Sequence, residues 1–197
     1  MGSQERIIRQ KKETASAIIK AAMEILLVDG EDGISMRRIA DKIEYTPPII
    51  YCYFKDKHEV LKKLVSIGYK KLNYKIDRSL NADAKLAERM ERLILCIVDF
   101  ALANSKLYKL MSNMALHHPQ SLNQMPEIVF FVQKLQNEII NNSAHPVAEE
   151  IVQERFYTLM ALVNGVISVC FVSPVYIDMG AKTSVKKLVR CALGSDD

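Results

Sequence analysis

The chain has 197 residues, 49% of them apolar and 25% charged, a balance that suits one soluble globular protein of one or two domains and excludes a disordered chain. That length buries a real core without disulfides or metal. The net charge is +4 but uneven: residues 1–75 carry 15 Lys/Arg against 10 Asp/Glu and the rest 12 against 13, so the first third is either the partner of a polyanion or a solvated basic face.

Cys52, Cys96, Cys170 and Cys191 are scattered with no C-x-x-C pair, which predicts reduced thiols in a cytoplasmic protein. Residues 1–15 are polar and read as no signal peptide. Strand-like alternation is rare, so the expectation is an all-α chain.

In chain order, Ile18, Ala22, Ile25 and Leu26 predict a helix over 12–28, with Gly30 to stop it. Ser35 is the N-cap of a short second helix ending near Ile43, and Ile34 and Ile39 make a hydrophobic staple across that cap. A two-residue turn follows. Thr46 is then an N-cap, with Pro47 and Pro48 at the first two helical positions, where no intrahelical N–H is needed and the fixed φ suits a helix start. Tyr45 and Ile50 repeat the staple. Asp56 caps the next helix, about 57–79, with Glu59 as a capping-box partner. Further helices are expected near 84–104, 106–116, 127–142, 147–172 and 182–193, with prolines 119, 126, 146 and 174 at the joints. The uncharged run Phe156–Val172 is at the short end for a membrane span; with Thr158, Asn164, Gly165 and Ser168 inside it, it reads as a helix buried on all sides, and no membrane partner is expected.

Three short helices, the last two joined by a tight turn, make a helix-turn-helix, which lays its last helix in the DNA major groove. At about 100° per residue from Thr46, Ile50 and Phe54 fall on the core side, with Ile39 and Ile43 as partners. Pro48, Ile49 and Cys52 occupy the opposite side, flanked by Tyr51 and Tyr53. This arrangement offers a small surface to base edges and two phenols to phosphates. Lys57, at the start of the next helix, and Arg37 and Arg38, in the first turn of the preceding one, are placed to meet phosphate. The candidate DNA-binding residues are therefore Arg37, Arg38, Thr46, Pro47, Pro48, Ile49, Tyr51, Cys52, Tyr53 and Lys57. The arm "ERIIRQKK" either adds Arg6, Arg9, Lys11 and Lys12 or is a solvated tail.

The stretch 18–61, with Ala21-Ala22, Gly30, Ser35, Ile39-Ala40, Thr46, Tyr51-x-Tyr53-Phe54 and Lys57, resembles the N-terminal domain of the TetR family of transcriptional regulators. "YTLMALVNGVISV" is similar, less specifically, to that family's late dimerisation helix. The resemblance implies a three-helix helix-turn-helix DNA-binding domain with its arm over 1–60. It also implies a C-terminal helical ligand-binding and dimerisation domain over 61–197. Its implied partners are a double-stranded DNA operator, a small-molecule effector and a second copy of the chain as a homodimer. Two departures stand out. Glu44 replaces the usual turn glycine, which suggests a turn without positive φ or else strain. Pro47 and Pro48 replace a basic or small polar residue and glycine, so recognition should lean on thymine methyls, DNA shape and phosphate clamps.

Beyond residue 84 the soft apolar side chains exceed what a core alone asks for, and Leu93, Ile97, Phe100, Met111, Met114, Phe131 and Met160 are candidates to line an effector cavity. Asn164 either orients a ligand or bonds a neighbouring backbone or the other subunit. His117 and His118 are adjacent and share no helix face, so no metal is expected there. No nucleophile–base pair, phosphate loop or H-E-x-x-H is present, and neither a cofactor nor an enzymatic activity is expected. Two rivals remain: a ligand-independent DNA-binding module controlled by protein partners, and a helical ligand-binding or catalytic protein with a vestigial reader.

Overall fold

A computed structural model describes residues 3–79, 86–123, 125–141, 143, 146–172, 175, 183, 185, 187 and 189. These form nine helices and no strand: α1 (Ser3–Asp29), α2 (Met36–Lys42), α3 (Pro47–Tyr51), α4 (Lys57–Ser79), α5 (Leu86–Ala103), α6 (Ser105–His117), α7 (Pro119–Leu122), α8 (Pro126–Asn141) and α9 (Glu149–Val172). The all-α expectation holds. The four-residue α7 was not foreseen, and the helix expected over 182–193 lies mostly outside the described residues. The arm 5–12 is part of α1, not a separate tail, and its side chains are exposed.

The chain divides into two compact units. The first comprises Met1–Gly68 and Lys106–Leu122. Its core is Ile18, Ala22 and Leu26 of α1, Ile34, Ile39 and Ala40 around α2, Ile50 of α3, and Val60 and Leu64 of α4, all at most 2% exposed. Burying each of the isoleucine, leucine and valine side chains stabilises by roughly 1.5–3 kcal/mol. Gly68 lets α4 and α6 approach closely, because a Cβ there would stand 2.5 Å from the Met111 sulfur.

The second unit comprises Tyr69–Ser105 and Asn123–Asp197. Polar ties hold α4 to α8: Lys70 pairs with Glu127 at 2.9 Å, Asn73 donates to the Glu127 carbonyl at 2.8 Å, and Lys134 pairs with Asp77. The Tyr69 and Phe131 rings meet edge to face at 5.5 Å. Arg89 of α5 pairs with the buried Glu138 of α8 at 2.5 Å. Cys96 and Cys170 are buried free thiols, and burial pushes the Cys96 thiol above its ordinary range.

The helix α9 departs from expectation. It buries one stripe, Val152, Leu159, Val163, Ile167 and Cys170, rather than its whole surface. The opposite side, spaced three and four residues apart from Tyr157 through Ala161, Gly165 and Ser168 to Val172, is exposed. Among the described residues α9 alone is long and apolar enough to cross a membrane, and 22% of its apolar window is buried.

Candidate nucleic-acid interface

The interface is built on two helix ends. Ser35 caps α2 as expected, its hydroxyl accepting from the Arg38 N–H at 3.2 Å. Ile34 and Ile39 are both buried across this cap. At the other end, Tyr45 N–H donates to Ala40 O at 3.0 Å and Glu44 N–H to Asp41 O at 3.3 Å. These are the two bonds of a Schellman motif, and it demands a left-handed residue between helix and turn. Glu44 is that residue, with φ 59°. The turn therefore does need positive φ, and a glutamate supplies it at a cost of about 1–2 kcal/mol.

The start of α3 works differently from the sequence expectation. Thr46 occupies the N-cap with extended backbone, but its side chain makes no capping bond. Pro48 has no N–H to offer, and the Ile49 N–H is taken by the Thr46 carbonyl at 3.0 Å. The prolines thus remove the donor a cap would serve, and the exposed Thr46 hydroxyl keeps its hydrogen-bonding capacity. Ile50 is fully buried while Tyr45 is 41% exposed. After Tyr51 the chain holds a further turn, with Tyr53 and Phe54 N–H both donating to Ile50 O at 3.0 Å.

The faces follow from this register. Pro48, Ile49, Tyr51 and Cys52 are exposed, whereas Pro47, Tyr53 and Phe54 are half-buried. The Cys52 thiol donates to Pro48 O at 3.4 Å, which turns it along the helix. The exposed face therefore carries a proline ring, an isoleucine and a phenol, with no side-chain amide or guanidinium from α3 itself.

The cations divide into two kinds. Arg37 is 85% exposed and only loosely paired with Asp41, at 4.0 Å. Arg38 is committed to the domain: it donates to Gly33 O at 3.0 Å and to the Asp29 carboxylate at 2.5 Å. This clamp closes one side of an open groove of about 450 Å³ between α1 and α2. Lys57 donates from Nζ to Glu31 O at 3.1 Å. Lys55, not singled out in the sequence, is exposed directly after α3. Its N–H donates to Glu59 at 2.7 Å, while Glu59 N–H donates to Asp56 at 2.9 Å. The signal was present in "FKDKHEV": the capping pair that starts α4 also fixes the backbone of the lysine before it.

The effector candidates are divided between the two units. Leu93, Ile97, Phe100 and Phe131 are buried in the second unit, whereas Met111 and Met114 are buried in the first. Met160 is half-buried, and the half-buried Asn164 donates to Met160 O at 2.9 Å. A cavity of about 10 Å³ in the second unit is lined by Ile94, Leu159, Leu162, Val163, Val166, Val185 and Val189, and by none of the eight candidates.

Residues 18–64 match the model of the tetR family of bacterial regulatory proteins. No curated protein matches the sequence. Among solved structures, the chain is similar to a TetR-like transcriptional regulator from Rhodococcus sp. RHA1, at 14% identity and TM-score 0.67 over 92% of this chain and 96% of that one. The fatty acid degradation regulator FadR from Bacillus halodurans is 18% identical, with TM-score 0.67 over 92% and 95%. A protein of unknown function from Rhodococcus sp. RHA1 is 23% identical, with TM-score 0.63 over 92% of both chains. Those likenesses carry the fold, and the match over 18–64 is confined to the N-terminal segment: that segment is similar to the DNA-binding helix-turn-helix of the tetR family of bacterial regulatory proteins.

Proposed function

We propose that the chain is a repressor that binds a palindromic operator as a homodimer and is released by a small apolar or amphipathic effector. The observation that supports this best is the exposed face of α3, where Pro48, Ile49, Tyr51 and Cys52 stand on a helix anchored by the fully buried Ile50. Thymine methyls suit Pro48 and Ile49; phosphates suit Tyr51, Tyr53, Arg37 and the Thr46 hydroxyl. Lys57 and Arg38 act through position, each keeping its charge near the reading helix while bonded to its own domain.

The functional division proposed is DNA binding over 1–60 and effector binding with dimerisation over 61–197. The exposed apolar side of α9, with Tyr157 68% and Val172 87% exposed, supports a second copy packed there, and the small Ala161, Gly165 and Ser168 would let two helices approach closely. Such a dimer presents two α3 helices to half-sites one turn of DNA apart. An effector that prefers a dimer with misplaced reading helices lowers DNA affinity by its differential binding to the two states. Action on DNA implies the cytoplasm.

One observation favours a second reading, a ligand-independent module controlled by protein partners. The cavity in the second unit has room for about one water, against the roughly 300–1,000 Å³ of an ordinary ligand site. Footprinting on the DNA flanking the chain's own gene tests the proposal. Two protected half-sites about ten base pairs apart are expected, and protection of a single half-site by a monomer would overturn the dimer.

A further inference from the structure

His58, the second residue of α4, and His118, just past the end of α6, lie 60 positions apart in sequence. Folding within the first unit brings their rings to 4.8 Å between centres, at an interplanar angle of 72°. The sequence led to no metal expectation at His117 and His118, which are neighbours on no common helix face, and it did not pair His58 with His118. Neither histidine of the 58–118 pair is among the candidate DNA-binding residues, so the site is argued independently of the repressor reading.

Two imidazoles on one ion, each with a metal–nitrogen bond of about 2.0–2.1 Å, place their ring centres roughly 4.5–5 Å apart at ordinary coordination angles. The observed separation falls in that range. The backbone N–H of His118 donates to Met114 O at 2.9 Å, which holds it at the C-terminal end of the 13-residue α6. The negative end of that helix dipole favours a cation, while the N-terminus of α4 beside His58 opposes it, so nitrogen ligation decides the balance.

We propose that His58 and His118 form a two-histidine site for a divalent transition metal of the zinc, nickel and copper class, tying the first turn of α4 to the end of α6. Imidazole suits these ions, and the neutral ring is the ligand. No group of three or more His, Cys, Asp or Glu stands together among the described residues. Water therefore completes the shell, and the ion is exchangeable.

The test uses chelator-stripped, tag-free full chain titrated calorimetrically with zinc chloride and, separately, nickel chloride. One ion per chain is expected. His58→Gln and His118→Gln should each weaken binding roughly tenfold or more, with His117→Gln leaving it within about twofold. Histidine side-chain NMR on the wild-type chain checks this without any variant: of the four histidines, only His58 and His118 should respond to the first equivalent of zinc. The proposal is overturned if the wild type binds neither ion more tightly than the double variant, or if His117→Gln abolishes binding equally. A response of His117 in place of His58 would overturn it too.

Discussion

Lys57 and Glu31 meet across 26 residues of chain, the lysine Nζ donating to the glutamate carbonyl at 3.1 Å. This bond joins the first turn of α4 to the loop after α1. A lysine that sequence places against phosphate thus also holds the domain together. Lys57→Ala should lower unfolding stability by about 0.5–1.5 kcal/mol in urea denaturation, the worth of one such bond. It should also weaken DNA binding evenly across sequences and reduce the salt slope by about one. An unchanged urea midpoint would remove the structural half of its role.

Glu44→Gly should stabilise. The residue sits at φ 59° in a Schellman motif, where glycine escapes the steric cost. Glycine also adds freedom to the unfolded chain, so the net gain expected is about 0.5–1 kcal/mol. A lowered urea midpoint would show that the glutamate side chain contributes more than its backbone costs.

Gly33→Ala should do the opposite. An added Cβ would stand 2.4 Å from the Asp29 Cβ and 3.1 Å from the Arg38 guanidinium. The loop must shift and the Arg38–Asp29 clamp loosen, at a cost of about 1–3 kcal/mol. Thermal melts showing wild-type stability would mean that the loop yields freely.

Much of this was legible beforehand because caps are local. Ser35, and Asp56 with Glu59, act within one turn of their own chain, and the apolar spacing of Ile18, Ile39 and Ile50 predicts their burial. What the sequence hid was non-local or compensatory. The Arg38–Asp29 clamp and the Lys57–Glu31 bond join residues 9 and 26 positions apart. Thr46 loses its capping role because Pro48 lacks a donor and the Ile49 N–H is taken by the Thr46 carbonyl. Composition predicted a helix over 156–172 but not that it would expose a whole side, since a stripe of small and apolar residues reads the same facing a core or a second copy.

Tyr108 gives a pH test. Burial pushes its phenol up to about 12 from 10, with a hydrogen bond to Ser112 acting the other way. Because the folded value is raised, the stability it confers is complete below pH 10 and is lost as pH rises from 10 through 12. The loss is on the order of 2–3 kcal/mol. Tyr108→Phe should flatten the stability profile over that window. An equally steep fall in the variant would assign the effect to other groups.

Ile49→Ala removes the largest apolar group on the exposed face of α3. It should change which bases are preferred while leaving the salt slope unaltered, since no phosphate contact is lost. Selection from a randomised operator library reads the preference directly. An identical preference in the variant would move base reading elsewhere on the domain.

Delivery of this chain to DNA by α3 is tested most directly by a mobility-shift titration with the DNA flanking its own gene at several salt concentrations. Affinity should fall linearly on a log–log plot with salt, and Tyr51→Phe should weaken binding to all fragments. No salt-sensitive binding to any fragment, or a Tyr51→Phe chain that binds as the wild type does, would contradict it.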